Sequence, residues 1–332
     1  MTDTSDLSPR QQRLRQVGGT EVGMHTLPGI PPSASSDDQG QFGMGEESRG
    51  QLATAARRFL REPLAVVGLA IFAGLAIAAL LTGWFWTYSY TSITNTLNAP
   101  PSLSHPFGTN SIGGDVFAQV MHGTLQDIEI ALLVAVIATV VGAAVGAVAG
   151  YYGGVTDTLL MRFVDLILVI PVLAILIVLA HIVAKQASNW FWLAIIIGAV
   201  SWTYVARLVR ADFLSLRERE FIEASRALGA TSRRIIVRHM LPNAAGPIIV
   251  NATITVALSI VLESTLSYIG LGIQPPNVSL GLLVAQGQDS ATTEWWLFVF
   301  PVVFLVILIL SVFFIGDGLR EALDPKKNRV RA

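Results

Sequence analysis

Apolar residues gather into six long blocks, at 64–86, 130–150, 163–183, 190–206, 244–271 and 295–315. Each approaches or exceeds the run of about 20 mostly apolar residues that carries a helix across a bilayer. The pattern predicts an all-α polytopic membrane protein with six transmembrane helices. The first block follows a polar stretch, is too long for the apolar core of a secretory signal and lacks a small-residue cleavage site, so it reads as an uncleaved anchor.

The polar stretches between the blocks set the orientation. With the N-terminus inside, the external loops are 87–129, 184–189 and 272–294, and of all 22 Lys and Arg only Lys185 lies outside. The positive-inside rule therefore predicts both termini in the cytoplasm. Residues 1–50, with Pro, Gly, Ser, Asp and Gln and little apolar periodicity, read as a disordered cytoplasmic tail. Residues 51–63 then form a lead-in, 64–325 the membrane domain and 326–332 a basic cytoplasmic tail.

Several blocks carry patterned small or polar residues. Ala138, Gly142, Gly146 and Gly150 recur every four residues, the small-xxx-small device that lets another helix approach closely. Asn251, Thr255, Ser259, Glu263 and Ser267 form a polar stripe on one helix. A carboxylate facing lipid costs about 2.5 kcal/mol or more, so Glu263 must face protein or water. Two readings of the stripe stand: the wall of a wet translocation path, or polar glue between helices. Arg162 and Asp165, three apart, are spaced to form a structural ion pair, and Pro171 is expected to kink the helix beyond them.

Composition narrows the chemistry. Charged residues make up 14% of the chain, against roughly 25% in soluble domains. The net charge of −1 gives no electrostatic footprint for nucleic acid, and the lack of cysteine excludes disulfides and thiolate metal sites. In the outer loop, Val116, Phe117, Val120 and Met121 are spaced as the apolar face of a short helix lying at the membrane surface. His105 and His122 lack a third ligand and make no metal site. A phosphate-binding loop needs Gly-Lys followed by Ser or Thr. Lys185, Lys326 and Lys327 are the lysines, none after a glycine. No catalytic residue or cofactor is expected here, and any ATP and Mg must be used on a partner subunit.

The segment 207–243 is the exception to the membrane pattern. It carries Arg207, Arg210, Arg217, Arg219, Arg226, Arg233, Arg234 and Arg238 between two apolar blocks. Glu220 to Leu228 is predicted to form a short helix in which Ala224, Ser225 and Ala227 are small enough to sit deep in a partner's groove. Gly229 suits the left-handed end of a helix. Thr231 or Ser232 can cap a second helix over 233–240, which Pro242 follows. The result is a helix–turn–helix elbow. Tethered at both ends to membrane spans, it has no reach to a DNA duplex, and a lipid-surface helix is the competing physical reading.

Glu223-Ala224-Ser225, then Gly229, then Leu241-Pro242 resembles the EAA loop of ABC-importer permeases. Arg238-His239-Met240-Leu241-Pro242-Asn243 is similar to the peptide and nickel branch of that family. So are His105–Thr109, the Gly150-Tyr151-Tyr152-Gly153-Gly154 run, Glu263 with Leu266 to Gly272, and Gly316 to Pro325. The resemblance covers about residues 55–326 and is nearest to the second, C-type permease subunit of dipeptide/oligopeptide importers. It departs at Asn110, at Gly114 and at Val278-Ser279-Leu280-Gly281, all outside the membrane.

The resemblance implies a type I ABC-importer permease fold in the cytoplasmic membrane. Its partners would be a homologous second permease, two ATPase subunits and an external substrate-binding protein. Coupling to the ATPase would fall on Glu220, Glu223, Ala224, Ser225, Arg226, Leu228 and Gly229. The implied cargo is a di- or oligopeptide, with nickel chelates or glutathione as the alternative within the family. Outside it stand a secondary carrier using Glu263 and a scaffold that recruits an enzyme. A carrier would favour broken helices or inverted repeats, and neither is visible in the sequence.

Overall fold

A computed structural model describes residues 56–182 and 190–323. The expectations for the tails 1–50 and 326–332 and for the loop 184–189 with Lys185 fall outside these residues. The described part is helical. Helix α1 spans Pro63–Phe85, α2 Val116–Tyr152, α3 Gly154–Val169, α4 Val172–Ile182 and α5 Trp190–Arg217. A short α6, Glu220–Ala227, is followed by the long α7, Ser232–Tyr268. The short α8, Leu280–Gly287, precedes α9, Trp296–Leu323. Five helices are long and apolar enough to cross a membrane, and the bent pair α3 and α4 makes a sixth span if counted as one.

Helix α2 is the centre of the bundle, packing on α5, α7 and α1, while α9 packs on α1, α7 and α8. The stripe of small residues on α2 faces α5. A Cβ added at Gly142 would lie 2.5 Å from Val205 Cβ, and one at Gly146 would lie 2.5 Å from the Ala206 carbonyl oxygen. Backbone contact at that range is open only to glycine, which is the reason for the four-residue repeat.

Three expectations change. The surface helix proposed around Val116 is the first part of α2, and Val116, Val120 and Met121 are buried rather than lying on lipid. Asp115 caps that helix by accepting from Ala118 N at 2.7 Å, and nothing breaks it before Tyr152. The kink expected at Pro171 is a full break, with α3 and α4 bent by 85°. Ile170 is extended, as a residue before proline prefers, so the helix ends there. A broken span therefore exists, contrary to the sequence reading.

The third change is at the elbow. The second helix over 233–240 does not stop at Pro242 but runs on into the membrane-crossing part of α7. Ile235–Met240 is π-helical, with Leu241 N bonding to Ile236 O, and Pro242 sits in the first turn of the α-helix that follows. The wider π-helical turn just before it accommodates the proline, so the rod continues.

The segment between α1 and α2 is folded over the bundle. His105 Nδ1 lies 2.6 Å from Asp115 Oδ2, and Trp296 Nε1 donates to Thr109 O at 3.3 Å. His122 stacks on Tyr90 with ring centroids 3.6 Å apart. The two histidines thus serve separate packing contacts.

Candidate coupling site

Helix α6 hangs below the bundle on one anchor. Ile222 is fully buried in the apolar cluster that also holds Tyr151, Phe213, Ile235 and Met240. Around it, Glu220, Phe221, Glu223, Ala224, Arg226, Leu228 and Gly229 are exposed, and Leu228 is 88% open. Phe221, Ala224 and Leu228 are spaced three and four apart, so they share one helix face. This is an apolar strip flanked by carboxylates, and among the described residues nothing covers it. Ser225 is half-buried, its hydroxyl donating to Phe221 O at 2.7 Å within the helix.

The end of α6 is built by Gly229, which has a φ of +78°. Side-chain-bearing residues pay steric cost in that region, and glycine does not. Gly229 N bonds to Arg226 O and Ala230 N to Ser225 O, closing the turn. The Arg226 guanidinium carbon lies 5.3 Å from the Tyr151 ring centroid, a cation–π contact that ties α6 to the end of α2.

Behind α6, arginines of α5 grip the neighbouring segment. Arg210 binds both carboxylate oxygens of Asp157, and Arg207 donates to Asp165 Oδ1 at 2.5 Å. Arg217 reaches Tyr151 O at 3.4 Å. The expected Arg162–Asp165 pair is therefore replaced by Arg207–Asp165, because a guanidinium from the facing helix reaches the carboxylate. Residue spacing along one helix reveals neighbours on that helix and none from across the interface, so this exchange is not legible from spacing.

The stripe on α7 is mostly closed. Thr255, Ser259, Glu263 and Ser267 are buried, whereas Asn251 is half-buried. Thr255 and Ser259 donate back to Asn251 O at 2.9 Å and Thr255 O at 2.6 Å. Glu263, fully buried, accepts from Ser267 Oγ at 2.6 Å and Ser264 Oγ at 3.3 Å. It also contacts Ser279 and Asp127. In this structure Glu263 and Ser267 are enclosed by protein groups. Asp127, missed in the sequence because it was placed in an external loop, is the side chain from α2 that meets them.

Similarity to known proteins agrees with the architecture. Residues 142–329 match the family described as binding-protein-dependent transport system inner membrane component, and residues 50–101 match the N-terminal TM domain of oligopeptide transport permease C. The oligopeptide transport system permease protein OppC of Mycobacterium tuberculosis is 44% identical, covering 83% of this chain and 94% of its own length. The protein of the same name from Bacillus subtilis is 36% identical, covering 82% and 88% respectively. A chain of the MetNI methionine ABC transporter, solved in inward-facing conformations, superposes with a TM-score of 0.51 at 21% identity, covering 63% of this chain and 98% of its own. With six candidate spans counting the bent pair, an exposed α6 and these relatives, the chain belongs to the family of inner-membrane permease components of binding-protein-dependent ABC transport systems.

Proposed function

We propose that this chain is one half of the membrane channel of an ATP-driven importer of di- and oligopeptides, working by alternating access in the cytoplasmic membrane with both termini inside. The reading rests chiefly on α6, whose exposed strip Phe221, Ala224 and Leu228 is presented outward by the buried anchor Ile222. Two ATPase subunits bind ATP and Mg and close. One of them seats α6 in a groove, with Glu220, Glu223 and Arg226 at the rim, small Ala224 and Ser225 allowing depth, and Gly229 setting the angle of the turn. A homologous second permease completes the path, and an external binding protein delivers the peptide. The peptide cargo follows from the names of the 44% and 36% identical relatives.

Within the stripe, Asn251 is the member with an accessible side chain, and we assign the path-lining role to it. Thr255, Ser259, Glu263 and Ser267 then hold the wall together from behind. The break between α3 and α4 is the one observation favouring an ATP-independent carrier, since broken helices mark many carrier sites. That alternative predicts no stable ATPase partner.

The test is purification of the tagged chain from its native membrane with mass spectrometry of what accompanies it. A second permease and P-loop ATPases are expected, with the ATPases lost from Glu223→Ala and Gly229→Pro. Recovery of the chain alone, from a preparation that preserves known complexes, overturns the importer reading. Retention of ATPase by both variants overturns the coupling assignment.

A further inference from the structure

At the junction of α2, α7 and α8, three elements meet at backbone range. A Cβ at Gly281 would lie 2.4 Å from Ser264 O, and one at Gly123 would lie 3.1 Å from Leu280 N. Into this closely packed junction the bundle places two carboxyl side chains, Asp127 and Glu263, each fully buried. They are within hydrogen-bond contact of each other. Around them, Leu280 N donates to Asp127 Oδ2 at 3.3 Å, and Ser267 Oγ, itself accepting from Ile273 N at 3.0 Å, donates to Glu263. Ser279 caps α8 by accepting from Leu282 N and also contacts Glu263.

Among the described residues no cation faces the pair. On α7 the rest of 243–267 carries no ionisable group and Tyr268, whose hydroxyl donates to Gln288, carries no positive charge; α8 carries none, and α9 carries none before Asp317. On α2, His122 stacks on Tyr90 and Glu129 is exposed, and His181 of α4 is exposed. The atom Asp127 Oδ1 has no hydrogen-bond partner among the protein's donors. Two ionised carboxylates in contact, away from water and any described cation, repel strongly, and a hydrogen bond between carboxyl groups requires a proton on one of them.

We propose that Asp127 and Glu263 form a proton-binding site, one proton being shared between them, and that this proton latches the short helix α8 to spans α2 and α7. With the proton in place, the carboxyl pair joins α2 to α7, while Leu280 N and Ser279 join α8 to both. Without it, the site carries two negative charges and the three elements part. The latch is complete at low pH and is lost as pH rises past the point of deprotonation. This goes beyond the importer reading and does not depend on it.

Infrared spectroscopy of the complex purified from native membranes tests the proton directly. A deuterium-sensitive stretching band of a protonated carboxyl is expected in the wild type and absent from D127N/E263Q, whose amides keep the shape and one hydrogen bond. Amide hydrogen exchange across 280–287 tests the latch. From about pH 6 to about pH 10, exchange in the wild type should accelerate by about tenfold or more relative to D127N/E263Q, which has no proton to lose. No such band in the wild type, an unchanged band in the double variant, or the same pH dependence in both proteins overturns the proposal. Should the double variant not assemble, D127N and E263Q singly must each shift the band, and a band unmoved by either is equally fatal.

Discussion

Arg210 of α5 clasps both carboxylate oxygens of Asp157 on α3, with Nη2 to Oδ2 at 2.6 Å. Its side chain is 32% exposed and that of Asp157 15%, whereas in the Arg207–Asp165 pair the values are 50% and 44%. Two arginines one turn apart on one helix thus hold one neighbour under different solvent screening.

The two pairs should therefore differ in strength. Arg210→Ala is expected to cost about 1–3 kcal/mol, as for a hydrogen bond to a charged group, and Arg207→Ala about 0–1 kcal/mol. Thermal unfolding of the purified complex gives the ordering. A larger loss at Arg207 would mean that screening does not govern these contacts.

Leu228 and Phe221 offer a sharper separation of assembly from stability. Both are exposed on α6, so Leu228→Ser or Phe221→Ser should change the stability of the isolated chain by no more than about 0.5 kcal/mol. The same changes should release the ATPase during purification. Retained ATPase together with normal stability would show that the apolar strip is not a contact surface.

Packing of α2 on α5 predicts a contrast between glycines. Gly146→Ala places a Cβ 2.5 Å from a backbone oxygen and should cost about 1–3 kcal/mol, whereas Gly74→Ala meets nothing within 4 Å. At Gly74 a small gain is expected, because alanine is about 1 kcal/mol the better helix former. Unfolding midpoints of the two variants in the same detergent decide it.

The break at Pro171 has a solvent consequence. Backbone groups freed inside a bilayer must meet protein or water rather than lipid. A cavity of about 220 Å³ lies beside it, lined by Ile167 to Val172, Val200 and Tyr204. The chain has no cysteine, so single cysteines report cleanly. Tyr204→Cys should react with a water-soluble thiol reagent in intact complexes, and Ile77→Cys, exposed on the apolar α1, should not. Silence at position 204 would place the break against protein.

Local signals carried much of the architecture. The apolar blocks, the small residues of α2, the start of α6 at Glu220 and the left-handed Gly229 depend on neighbours a few positions apart, which periodicity and backbone sterics expose. What stayed hidden depends on distant partners. Asp165 is taken by Arg207, and Glu263 by Asp127, across helix faces whose pairing no spacing encodes. The length of α2 was hidden for another reason: Gln126, Asp127 and Glu129 lower its apolar average, and that Gln126 and Asp127 are enclosed by protein shows only in the folded bundle.

Helix α7 has one more implication. From Ser232, just after the Gly229 turn, to Tyr268, beside Glu263 and Ser267, it is a single rod of 37 residues. At 1.5 Å per residue that is a boom of about 55 Å, and a swing of roughly 5° about one end carries the other through about 5 Å. On the coupling role proposed for α6, force applied at the elbow would reach the opposite rim as an amplified displacement, with no relay of side chains in between. The π-helical collar at Ile235–Met240, where the winding is loosest, is the natural pivot.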